Sequence, residues 1–190
     1  MQAAPGTPLS DLTPRPTPSR RALVTALSML AVLVVAVDQA TKALAVARLQ
    51  PEEPVPLIGD LLQLRITRNA GAAFSMGTGA TWLLTLVAVV IVVVVLRSVR
   101  RLASRGWALA LGLLLGGALG NLVDRLVREP GLGRGHVVDF LAYGRLFIGN
   151  VADIAIVGAA LLMALLSVRG IGLDGSRMSP RAAAPEDGRG

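Results

Sequence analysis

The 190-residue sequence has no cysteine and a single histidine, His136. Disulfides, thiol nucleophiles and cysteine-ligated zinc are therefore excluded, and a histidine-based metal site or a Ser-His-Asp triad has too few imidazoles to build from. Aromatics are scarce at 3%, and charged residues make up 16% against the roughly 25% of a soluble domain. The scarcity of charge is also uneven: residues 22–37, 69–96, 106–123 and 154–168 carry none at all. With 53% hydrophobic residues and a mean hydropathy of +0.63, the chain is rich enough in apolar runs to cross a bilayer, which takes about 20 residues per helix. The pattern predicts an all-α polytopic membrane protein with four transmembrane helices at about 22–42, 76–96, 106–124 and 148–168. No length remains for a separate soluble domain.

The net charge of +7 is distributed as a topology signal. Arg15, Arg20 and Arg21 precede the first span, Arg97, Arg100, Arg101 and Arg105 lie between the second and third, and Arg169, Arg177, Arg181 and Arg189 follow the fourth. These segments hold eleven basic and four acidic residues, whereas the remainder holds eight of each. Basic enrichment in short loops marks the cytoplasmic side, so both termini are expected there. No nucleic-acid partner is needed to explain the charge; anionic lipid is the expected recipient of any excess. Residues 1–21 and 169–190, rich in Pro, Gly and Ser, are expected to be disordered tails. The basic start, apolar run and Ala43–Ala47 stretch also resemble a cleavable signal peptide, but three further spans favour an uncleaved first helix. Between spans one and two, residues 62–68 alternate apolar and polar, the period of a half-buried strand; a small extracytoplasmic β element is expected over about 48–68. The Gly-rich segment 126–149 is expected to be loop with short strands.

Four acids stand at the outer ends of the spans: Asp38, Asp124, Asp139 and Asp153. Ionisable groups there are costly and point to function. Asp38 and Lys42, the sole lysine, are spaced i,i+4 for an ion pair. Asn121, Asp124 and Arg125 share a helix face, as do Asn150 and Asp153. Plainer roles exist for several of these. Asp38–Lys42 can simply mark a helix end, and Asp124 beside Arg125, with Arg128 one turn on, suits a structural ion pair. Gly112, Gly116 and Gly120 form a close-packing face, no phosphate-binding loop is present, and Trp82 and Trp107 suit interface anchors.

Five short blocks together resemble the lipoprotein signal peptidase (signal peptidase II) family. They are Asp38-Gln39-Ala40-Thr41-Lys42, Arg68-Asn69-Ala70-Gly71-Ala72-Ala73-Phe74-Ser75, Gly116-Gly117-Ala118-Leu119-Gly120-Asn121-Leu122-Val123-Asp124-Arg125, Val137-Val138-Asp139-Phe140 and Asn150-Val151-Ala152-Asp153. The sequence departs from the family in placing Gly149, not Phe, directly before Asn150. The resemblance covers about 22–168 and implies an aspartyl endopeptidase with Asp139 and Asp153 as its catalytic pair. It implies removal of the signal peptide from prolipoproteins, on the amino side of a cysteine carrying diacylglycerol, and sensitivity to globomycin. Asn69, Gly71, Asn121, Asp124, Arg125, Asn150 and Ala152 would then orient the pair and the substrate, with Asp38 and Lys42 bracing span one. No cofactor or metal is implied. Partners would be the lipidated substrate and membrane lipid, the chain is expected to be monomeric, and the site would face outward from a bacterial cell membrane. The competing reading of the buried acids is a proton-coupled transporter or channel subunit, which would want a carboxylate near the bilayer midplane. A structural subunit packing through its glycines would give the aspartates no role.

Overall fold

A computed structural model describes residues 18–71 and 81–177. Residues 1–17 and 178–190 of the expected tails, 72–75 of the second block and 76–80 of the expected second span lie outside the described residues. Among the described residues, four helices are long and apolar enough to span a membrane: α1 (Arg20–Arg48), α2 (Thr81–Ser98), α3 (Arg105–Val127) and α4 (Val151–Val168). α1, at 29 residues or about 43 Å, overshoots a hydrocarbon core of about 30 Å and so reaches past the expected end at residue 42. Polar side chains start three of the helices. Ser19 Oγ accepts from Ala22 N, Ser104 Oγ from Trp107 N, and Asn150 Oδ1 from Asp153 N, each satisfying a backbone donor of the open first turn.

The glycine stripe makes α3 the central element. A Cβ at Gly112 would lie 3.1 Å from the Leu27 carbonyl, at Gly116 2.6 Å from Val34 Cβ, and at Gly120 2.7 Å from Asp38 Oδ2, so α1 crosses directly over this face. Gly117 faces the other way, where a Cβ would lie 2.6 Å from the Ala152 carbonyl of α4. Small residues let the backbones meet closely, and that proximity replaces the hydrophobic drive missing in lipid. Gly117→Ala is accordingly expected to destabilise by about 1–3 kcal/mol, despite alanine's better helix propensity, because the obstructing atom is backbone. A thermal unfolding curve in detergent that matches the parent would contradict this packing.

At one end of the bundle Leu23, Leu27, Ala31, Val95, Leu102, Ala108, Leu111 and Leu115 form an apolar core. The chain after α4 does not begin as a loose tail. Ile171 and Arg177 form a β-bridge, the Leu173 carbonyl accepts from Ala103 N and Ser104 N, and Trp107 Nε1 donates to the Ile171 carbonyl at 2.8 Å. Trp107 thus fastens this turn to the start of α3, a use beyond an interface anchor. At the opposite end lies a four-stranded antiparallel sheet, in the order β1 (Val55–Ile58), β2 (Leu62–Asn69), β3 (Val137–Tyr143), β4 (Phe147–Gly149). The alternating segment is indeed a strand, β2; β1 precedes it in the same outer segment, and the Gly-rich segment supplies β3 and β4. β3 is buried from Val137 to Phe140 because β2 and β4 flank it and the helix ends back it.

Candidate active site

Two polar clusters sit where the sheet meets the helix ends. The first is an ion cluster in which Asp38, Lys42 and Asp124 are buried from solvent and Arg128 is half-buried. Lys42 Nζ lies 2.8 Å from Asp38 Oδ2 and 3.0 Å from Asp124 Oδ2, and Arg128 Nε lies 2.8 Å from Asp124 Oδ1. Two acids balance two bases, so the cluster carries no net charge. Gln39 ties it together, donating to Asp38 Oδ2, Asp124 Oδ1 and the Gly120 carbonyl. Arg125 is not Asp124's partner. One residue along a helix turns the side chain by about 100°, whereas four residues bring it back to the same face, so Arg128 takes that place. Arg125 makes no salt bridge to Asp124; its Nη1 donates to the Asn121 carbonyl, and its guanidinium lies within electrostatic reach of Asp139 and Asp153, and less strongly of Asp124.

The second cluster contains Asp139 from β3 and Asp153 from the first turn of α4. Asn150 touches both: its Nδ2 donates to Asp139 Oδ1 at 2.6 Å, and its backbone N–H donates to Asp153 Oδ2 at 3.0 Å. The latter bond and the Asn150 cap form a capping box at the start of α4, which fixes the Asp153 carboxylate against the helix end. Asn69 Nδ2, at the end of β2, donates to Asp139 Oδ2 at 2.9 Å, while its Oδ1 accepts from Gly71 N. Asn121 Nδ2 donates to Asp153 Oδ1 at 2.9 Å, and its Oδ1 accepts from Lys42 Nζ and Asn150 Nδ2. The asparagines therefore link the two clusters through hydrogen bonds alone.

Two further bonds run from the ion cluster to the backbone beside these carboxylates. Asp38 Oδ1 accepts from Ala152 N at 2.9 Å, and Asp124 Oδ2 accepts from Val138 N at 3.1 Å. All the residues expected at the site converge here, with Gly71 and Ala152 contributing through their backbones. Gln39 and Arg128 join them; Gln39 sits inside the first block, and Arg128 was legible from its spacing to Asp124. Gly149 also has a local reason, since a Cβ there would lie 3.0 Å from Asp153 Oδ2. His136 stays in the loop before β3, its backbone N–H on the Glu129 carbonyl.

Asp139 is 2% exposed, and its carboxyl is pushed up to about 6. Burial is the main cause and the neighbouring Asp153 charge adds to it, while the amides of Asn69 and Asn150 pull the other way. A group poised there can hold or release a proton near neutrality. No group of three or more metal-ligating side chains occurs among the described residues.

Four apolar helices, with two carboxylates joined by one asparagine where a small sheet meets the helix ends, define a polytopic membrane protein of the aspartic hydrolase class. Comparison with known proteins narrows that class. The family model described as Signal peptidase (SPase) II matches residues 30–169. A lipoprotein signal peptidase of Rhodococcus jostii (strain RHA1) is 53% identical over 170 residues, covering 90% of this chain and 85% of that protein. Another, from Mycobacterium avium (strain 104), is 49% identical over 170 residues, covering 90% and 92%. A solved bacterial membrane enzyme, determined by the in meso method at 1.9 Å resolution, superposes with a TM-score of 0.66 at 26% identity, over 76% of this chain and 93% of its own. The chain belongs to the signal peptidase II family and is an aspartic-type membrane protease.

Proposed function

We propose that the chain removes signal peptides from diacylglyceryl-modified prolipoproteins, cutting on the amino side of the lipidated cysteine, with Asp139 and Asp153 as its catalytic pair. The observation that carries the assignment is Asn150, whose side chain and backbone each hold one carboxylate. Two close carboxylates do not both ionise readily, so the pair holds on to one proton up to about pH 6. The ionised carboxylate takes a proton from water as that water attacks the scissile carbonyl. The protonated one delivers its proton to the carbonyl oxygen. The tetrahedral intermediate then collapses, the C–N bond breaks, and a proton passes to the departing amine. Asn69, Asn121 and Arg125 orient the pair and the substrate backbone.

The sheet supports an extended substrate. β4 has a free edge among the described strands and runs directly into Asn150, so a peptide added along it would pass the carboxylates by strand addition. We place both termini in the cytoplasm and the site at the outer face, on the strength of the arginine distribution. Reporter fusions after Arg101 and Arg169 are expected to read cytoplasmic, and those near Glu53 and Gly133 external; an external reading at Arg101 inverts the arrangement.

The direct test is incubation of the purified chain with a diacylglyceryl prolipoprotein, followed by mass analysis of the released signal peptide. Cleavage is expected to persist in strong chelator and after thiol alkylation, since carboxylates and water suffice. Loss to chelator with restoration by a metal would remove the carboxylate mechanism.

A further inference from the structure

Among the glycines described on the transmembrane helices, Gly158 of α4 lacks a packing reason. Cβ atoms at Gly106, Gly112, Gly116, Gly117 and Gly120 would each meet an atom of another element within 2.6–3.1 Å, but one at Gly158 would meet nothing within 4 Å. A mid-helix glycine costs stability relative to alanine, and here no neighbouring helix gains from its smallness. The space it leaves open is a cavity of about 350 Å³ running along one face of α4. Asp153, Val157, Gly158 and Leu161 line it along α4, together with the stacked rings of Tyr143 and Phe147, 4.6 Å apart. Grooves of comparable size between α1 and α3, at Ala31–Leu119 and Leu23–Leu109, are not lined by either carboxylate.

We infer that this groove is the subsite for one acyl chain of the substrate's diacylglyceryl group, and that Gly158 sets the width it admits. The inference rests on the peptidase reading above and adds where the lipid lies. Size decides the occupant. The eight steps from Asp153 to Leu161 span about 12 Å, and a peptide helix about 10 Å across would fill roughly 900 Å³ over that length. A cavity of about 150 Å³ holds one benzene, so a groove of about 350 Å³ can take an alkyl chain within it, whereas a helical signal segment would stand mostly outside it. Orientation agrees: the thioether-linked lipid hangs beside the scissile bond, and the groove leads from Asp153 along the membrane-spanning helix.

The test uses the full chain in detergent with two synthetic prolipoprotein peptides of one sequence, carrying palmitoyl or octanoyl chains. Gly158→Leu places its side chain in open groove and keeps the helix, which an unfolding temperature no lower than the parent's checks. KM is expected to rise about tenfold or more for the palmitoyl peptide, as for a pocket short of one or more methylenes, with a smaller rise for the octanoyl one and kcat little altered. In parallel, a photoreactive palmitoyl chain on the peptide, bound to the Asp139→Asn protein, is expected to label Val157 or Leu161. Equal losses at both chain lengths, losses that follow signal-peptide sequence instead, or labelling confined to α1 would each overturn the inference. A parent enzyme that cleaves neither peptide overturns the peptidase reading, and this inference with it.

Discussion

Asp139→Asn is expected to lower turnover by at least 10²–10⁴, the range typical of a general acid–base group, while the protein remains folded. Asparagine keeps the size and can still bond Asn69 and Asn150, but it has no titratable proton. Asp153→Asn should do the same, and the double variant should be little worse than either, since residues that act as a unit are not additive. Stability should move the opposite way from activity. Because the carboxyl of Asp139 is raised in the folded state to about 6, its favourable contribution is complete below its unfolded value and is lost as pH rises through about 6. At pH 8 the ionised group therefore costs up to about 3 kcal/mol. Asp139→Asn escapes that cost, so its unfolding temperature is expected to equal or exceed the parent's at pH 8 and to lose the advantage toward pH 4. The descending limb of kcat/KM for the parent should fall near pH 6 and belong to the pair rather than to one residue. An Asp139→Asn protein that is folded and fully active would reassign the chemistry; if Asp124→Asn were then inactive, the pair would be Asp124 with Asp153.

Lys42→Met is expected to cost about 3–5 kcal/mol, the range for removing one partner from a buried ion pair, and to leave little folded protein in detergent. Methionine matches the volume, so the loss reports charge rather than a cavity. Among the described residues, Asp38 would lose its only salt-bridge partner and Asp124 one of two. Lys42→Arg should not rescue it, because the ammonium is 0% exposed and meets Asp38, Asp124 and Asn121 from three sides, a fit a planar fork does not reproduce. Size-exclusion profiles of the two variants beside the parent measure this. Parent-like yields of Lys42→Met would mean the cluster is not a structural requirement.

What could be read from the sequence was what lies within one element. Charge-free runs announced the four helices, alternation announced β2, and the spacing of Asp38 to Lys42 announced their bond, since each depends only on local geometry. The bonds between elements were not legible. Lys42 reaching Asp124, or Asp38 reaching Ala152 N, depends on how α1 crosses α3 over the glycine face, and the sequence gives the face but not the crossing. β4 has three residues and the turn at 171–177 is equally short of a periodic signal, so the sequence points to short strands within 126–149 without locating β4 and shows nothing of the turn. Gly158 looked like any other small residue until the space around it could be measured.

The two backbone bonds from the ion cluster give the site a common origin of measurement. Each cluster acid grips the N–H of the residue just before one member of the pair, Asp124 at Val138 and Asp38 at Ala152, and one ammonium joins the two acids. The gap between Asp139 and Asp153 is thereby gauged from the helices, not counted along the chain that connects them. The turn at 144–146, with Leu146 87% exposed, lies outside that gauge, so its length can drift while the spacing of the carboxylates stays put.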